Sequence, residues 1–171
     1  MDDIVETIYK RFQDLIELLN KQNEVSLKSD VDDYYKKIMV LTIASYFESK
    51  ISDILINFFQ VKSSSNECVV SFVKRQALER KYYTFFNWEG KNANSFFSMF
   101  GDDFKKSAGK DVEHKPELEE AIKAFLEITN DRNLLIHNNL GIYSIEKTAK
   151  EVMDKYKKAL KFIDYIADKL T

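Results

Sequence analysis

Proline, glycine, cysteine and histidine are all scarce, and each shortage removes a class of protein. Pro116 is the single proline, and Gly90, Gly101, Gly109 and Gly141 all fall outside the stretches that read as long helices. A chain with so few turn residues is expected to be all-helical. Cys68 stands alone, which excludes an internal disulfide and fits a reducing cytoplasm. With only His114 and His137 as histidines, and no ligand near Cys68, no zinc site is expected and no cofactor is assigned. Glycine-rich phosphate loops and nucleophile elbows are missing as well. No apolar run is long enough to cross a bilayer. The opening MDDIVETIYK is acidic and amphipathic, unlike a secretory signal, so a cytoplasmic protein without a membrane partner is expected. Basic excess is also lacking: 26 basic side chains face 28 acidic ones, for a net charge of −2. Any contact with nucleic acid must then be a local patch.

What the chain does have is apolar periodicity. At 171 residues one domain spanning 1–171 is expected, burying roughly two-thirds of its unfolded surface. Ile4, Ile8, Phe12, Leu15 and Leu19 trace a stripe on a helix predicted from Asp2 to Asn23, with Asp2 and Asp3 at the positive end of its dipole. After a polar break from Glu24 to Ser29, a second helix is predicted from Ser29 or Asp30 to Gln60. Its stripe is Val40, Ala44, Phe47, Ile51, Ile54 and Phe58, broadened by Ile43, Leu55 and Phe59. The loop Lys62 to Asn66 carries capping residues for a third helix, Glu67 to Lys81.

The stretch 82–115 reads as the least regular, an aromatic-rich insertion with one short helix from Asn92 to Phe100, stopped at Gly101. Its rings, next to Lys74, Arg75, Arg80 and Lys81, can stack bases beside a basic patch for RNA. The favoured reading is that the rings fold back and bury themselves against the bundle. Pro116, Glu117, Glu119 and Glu120 then start a fourth long helix, predicted to end near Asn138 and Asn139. A fifth begins at Ser144 or Ile145. Ile145, Ala149, Val152, Tyr156, Ala159, Ile163, Ile166 and Leu170 form its heptad seam. The fold class is all-α: an up-and-down bundle of four to five long helices, with the insertion before the fourth.

Chemistry concentrates at the end of that fourth helix, in Asp131-Arg132-Asn133-Leu134-Leu135-Ile136-His137-Asn138-Asn139. A guanidinium is a permanent cation with a planar fork suited to phosphate. An imidazole titrates near neutrality and can move a proton. Without metal, the two can cleave RNA: His137 activates a ribose 2′-hydroxyl or protonates the leaving 5′-oxygen, and Arg132 stabilises the charge on phosphorus. Asn133 can orient His137 or hold a phosphate oxygen. Asn138 and Asn139 can bind backbone or bases, though capping the helix explains at least one of them. Arg132 and His137 are separated by about 140° around a helix, so one straight helix does not easily aim both at one atom. Either the arginine wraps round or a second copy supplies the missing half. The bland alternative makes Arg132 the partner of a carboxylate and His137 a solvated residue at a helix end. Glu48, beside the stripe of the second helix, either snorkels to water or pairs with Arg132.

With those residues and that helical order, the chain resembles the HEPN superfamily, whose signature is an arginine, a polar residue such as asparagine, and a histidine four to six residues after the arginine. Ser45-Tyr46-Phe47-Glu48, and Phe86-Asn87-Trp88-Glu89-Gly90-Lys91-Asn92 leading to Phe100-Gly101, look like the stand-alone bacterial RiboL-PSP branch. The resemblance implies a metal-independent endoribonuclease, a toxin or antiviral effector, working as a homodimer whose two Arg-His motifs face each other. It implies Arg132 and His137 as catalytic, with Asn133, Glu48 and Asn138 in support. Some relatives are silenced by an antitoxin protein that modifies a tyrosine two residues after the histidine; here Asn139 holds that position, and the next tyrosine is Tyr143. The alternative of another class is a non-catalytic helical interaction module that binds a protein or a nucleotide.

Overall fold

The computed structural model describes residues 4–171, so the expected start of the first helix at Asp2, and the dipole role of Asp2 and Asp3, lie outside the described residues. Four long helices make the bundle: α1 (Ile4–Lys21), α2 (Val25–Lys62), α7 (Pro116–His137) and α8 (Ala149–Lys169). Between them come α3 (Glu67–Val73), a π-helical turn (Lys74–Leu78), the single turn α4 (Glu79–Lys81), a 3-10 turn (Tyr82–Thr84), α5 (Asn94–Ser98) and α6 (Asp102–His114). No strand forms among the described residues. Helix α7 packs along α8, both pack on α2, and α1 lies on α2.

The seam of α8 is buried as its heptad spacing requires. Val152, Tyr156 and Ala159 are fully enclosed, and Ala149, Ile163, Ile166 and Leu170 nearly so. Ile145 is buried too, but in the loop before the helix. The start expected at Ser144 or Ile145 falls instead at Ala149, because Thr148 and Glu151 form a reciprocal capping box there. In α1 the buried line is Val5, Phe12 and Leu19, at steps of seven, while Ile4 is 53% exposed.

Two further boundaries move for local reasons. Helix α2 begins at Val25, so the expected polar break from Glu24 to Ser29 is mostly helical. The reversal out of α1 needs a single left-handed residue, Asn23 at φ 58°, a conformation that asparagine tolerates. The stretch 82–115 is more regular than its sequence suggests, for α6 is a helix of 13 residues with Gly109 inside it. Gly101, at φ 97°, supplies the backbone that no side-chain-bearing residue adopts easily. Asp102 and Asp103 follow in the first turn of α6, where the dipole favours them.

The rings of this stretch do bury themselves. Phe86 stacks on Phe96 at 4.9 Å and touches Phe125 of α7 at 4.9 Å. Phe125 in turn meets Phe47 of α2 and Phe162 of α8, both at 5.2 Å. Helix α6 is tied to the end of α8 by Asp111, which accepts from Tyr165 Oη at 2.8 Å and Lys169 Nζ at 2.6 Å.

Phe86→Ala should cost about 3–5 kcal/mol of stability by urea unfolding, as for a core phenylalanine, whereas Tyr83→Ala, at a site 67% exposed, should cost less than about 0.5 kcal/mol. The hydrogen bond from Lys169 holds the Asp111 carboxyl below its ordinary value, outweighing the opposing effect of burial. Its stabilisation is therefore complete above the ordinary aspartate range and lost as pH falls through the lowered folded value. Asp111→Asn should flatten the acid limb of the stability curve by up to about 1 kcal/mol, since the site is largely solvated.

Candidate functional site

The carboxyl-terminal turns of α7 form one wall of a cleft of about 510 Å³. Thr129, Arg132, Asn133, Ile136 and His137 come from α7, and Ala44 and Glu48 from α2. The opposite side is built by Leu78, Glu79, Arg80, Tyr82, Tyr83 and Trp88. The aromatic stretch thus serves two purposes. Phe85 and Phe86 enter the core, while Tyr83 and Trp88 face the cleft, with Trp88 Nε1 donating to the Tyr83 carbonyl at 2.7 Å.

Arg132 and His137 therefore share one cleft within a single protomer, despite their angular separation on the helix. Arg132 is half-buried and its Nη1 donates to Asn133 Oδ1 at 3.1 Å. His137 is exposed at the last helical position. Glu48 lines the same cleft, but no ion pair joins it to Arg132 among the described residues. Asn138 lies outside the cleft lining and closes the helix end, its side-chain amide donating to the Leu134 carbonyl at 2.8 Å. Asn139 is occupied as well, accepting from the Gly141 backbone N–H at 3.0 Å. Of the four basic residues assigned to RNA, Arg80 reaches the cleft; Lys74, Arg75 and Lys81 are exposed but do not line it. Among the described residues, no three His, Cys, Asp or Glu side chains gather as a metal-binding group, and no helix is long and apolar enough to cross a membrane.

Sequence reading missed Tyr82 as a site residue. Its hydroxyl is buried without a hydrogen-bond partner, though the residue lines the same cleft as Arg132 and Glu48. Burial raises the phenol far above its ordinary value; Glu48 adds to the effect and Arg132 opposes it. Aromatic clustering in the sequence was visible, but nothing in it separates the ring that faces the site from those that fill the core.

A family model described as RiboL-PSP-HEPN matches residues 6–171. The chain belongs to the RiboL-PSP-HEPN family. HEPN domains are frequently ribonucleases, and the match extends from α1 to the end of α8. Searches among curated proteins and among solved structures found no match.

In this HEPN domain the motif helix is held at its end by ionic contacts. Lys147, in the loop between α7 and α8, bonds Asp131 Oδ2 at 2.9 Å and Glu127 Oε1 at 3.1 Å, and Lys155 of α8 also engages Glu127. Burial holds the Asp131 carboxyl above its ordinary value even with Lys147 beside it. Burial alone would lower Lys147, but its bonds to Asp131 and Glu127 outweigh that and hold the ammonium above its ordinary value. Asp131 precedes Arg132 directly, so this network fixes the turn that presents the guanidinium.

Leaving a carboxylate buried and unpaired is costly. Lys147→Met should lower stability by about 2–3 kcal/mol in chemical denaturation. Asp131→Asn in the same chain should restore most of that loss, because the damage comes from the orphaned charge.

Proposed function

We propose that the protein is a metal-independent endoribonuclease that leaves a 2′,3′-cyclic phosphate, acting as a homodimer. The observation that carries this reading is the shared cleft, in which the guanidinium of Arg132 and the imidazole of His137 lie on one wall. Phosphoryl transfer of this kind needs a proton acceptor, a proton donor and a fixed positive charge. His137 takes the proton of the ribose 2′-hydroxyl, whose oxygen attacks phosphorus. The P–O5′ bond breaks, and the departing oxygen is protonated by the partner subunit's His137, which enters as imidazolium. Arg132 carries the charge that builds on the non-bridging oxygens, with Asn133 holding its fork in place.

Dimerisation is supported by apolar side chains around the motif end. Ile136, Leu140 and Ile142 are 52%, 47% and 80% exposed, and a second copy laid against this end would cover them. The substrate is unpaired RNA, because the cleft presents Tyr83 and Trp88 as faces on which splayed bases can stack. A toxin or antiviral role in the cytoplasm fits an enzyme that needs no cofactor. If an antitoxin protein controls it, modification at position 139 is not the means, since that residue is Asn139.

Purified protein should cut RNA in the presence of EDTA. Arg132→Ala and His137→Ala should each reduce the rate by about 10²–10⁴-fold while melting like the wild type, and light scattering should give a dimer. Wild-type protein that leaves RNA intact at every enzyme concentration, yet retains a protein or nucleotide partner equally well in both variants, would instead be a non-catalytic HEPN interaction module.

A further inference from the structure

Helix α2 carries two apolar lines. Val40, Ile43, Phe47 and Ile51 face the core and are fully enclosed. The second line is Leu27, Val31, Tyr34, Ile38 and Leu41, advancing by steps of four, three, four and three. At 100° per residue these five fall within about 80° of one another, roughly opposite the core line. Leu27, Tyr34 and Ile38 are 50%, 58% and 46% exposed, with Val31 and Leu41 half-buried among them. An uncharged line of this period is a packing seam, yet the helices that pack on α2 leave it open to solvent.

The seam leads to the site. Ser45 and Glu48 continue its steps beyond Leu41, and Glu48 lines the cleft that holds Arg132 and His137. Ser144 Oγ donates to Asp33 Oδ1 at 3.3 Å, so the loop after α7 reaches α2 beside Tyr34. Leu27, Tyr34, Ile38, Ile136, Leu140 and Ile142 are each about half-exposed or more. Together they offer on the order of 600 Å² per copy, near the roughly 800 Å² per partner of a stable interface. Apolar area on this scale marks a binding face.

The occupant that the spacing fits is the same seam. Paired in register about a twofold axis along α2, each apolar step meets its own copy, and both clefts lie at one end of the pair. Antiparallel pairing centred on Tyr34 would set the two Glu48 positions about 42 Å apart, too far to share one phosphodiester. We infer that the outer face of α2 docks a second copy of this chain in register, and that this contact brings the two clefts together. The inference rests on the ribonuclease reading and deepens it, because proton donation by the partner subunit's His137 needs adjacent clefts.

Sedimentation velocity should give a dimer for the wild type. Ile38→Asp places a charge in the seam and should weaken the dimer by at least about a hundredfold, with helix content unchanged and RNA cleavage falling alongside. Phe72→Asp on α3, at a site 69% exposed, should remain dimeric. In a Cys68→Ser background, Leu27→Cys and Ile38→Cys should each give a disulfide-linked dimer on oxidation, since in-register pairing sets each against its own copy. The two positions lie about 16 Å apart along the helix, so an antiparallel pair links at most one of them. If Ile38→Asp does not fold, the two cysteine variants decide. A wild-type monomer at every concentration, a dimer untouched by Ile38→Asp, or linkage at no more than one cysteine would overturn the surface. Wild type that dimerises through the seam as expected, yet cuts no RNA, would leave the surface standing and remove the ribonuclease reading alone.

Discussion

Everything in this molecule turns on how α7 is enclosed. Along most of its length the helix is packed from two sides, by α2 and α8, and it is sealed by Phe125 between Phe47 and Phe162. Such a helix has no room for charge, and for its first four turns the inward positions are Leu118, Ile122, Phe125 and Ile128. The enclosure then opens. Asp131 is the one buried acid among the described residues, held by Lys147, and beyond it Arg132, Asn133 and His137 face a cleft rather than a core. The chemistry sits where the packing stops, which is where a rigid helix can present polar groups without desolvating them completely.

This boundary explains what the sequence revealed and what it hid. The seam of α8 and the paired stripe of α2 are repetitive, so their apolar spacing alone locates them. Arg132 and His137 stand out by chemistry, a guanidinium and an imidazole five residues apart near the end of a helix. Helix α6 was harder to see, for its buried face is thin: Ala108 is enclosed, while Phe104 and Val112 are only partly covered. Glycine at 109 weakens the helical signal further. The start of α2 was obscured because polar residues from Glu24 to Ser29 suit an exposed helical turn as well as a loop. Of the cleft, the sequence suggests only the approach of Glu48 to Arg132, and not the wall contributed by Leu78 to Trp88. Glu48, Tyr82 and Arg132 are brought together by tertiary folding, and among nine aromatics from Tyr82 to Phe104 no local feature marks the one whose hydroxyl lacks a partner.

Charge within the cleft is balanced, with Arg80 and Arg132 against Glu48 and Glu79. That agrees with the overall net charge of −2 and separates this site from a basic groove that grips long nucleic acid. On the proposed ribonuclease reading, recognition would depend on a few placed donors and on aromatic faces, with the cations serving a single phosphate. Lys74, Arg75 and Lys81 are exposed on the neighbouring segment and do not line the cleft; on the same reading their charge would act at a distance.

The π-helical turn from Lys74 to Leu78 has a consequence for this arrangement. Such a turn accommodates one residue more than an α-helical path, and so rotates all that follows by about 100°. That rephasing decides which side of α4 looks inward, bringing Arg80 to the cleft and leaving Lys81 outside. Losing one residue from this turn would swing Arg80 and Tyr82 away together, dismantling the far wall while leaving every atom of the α7 motif in place.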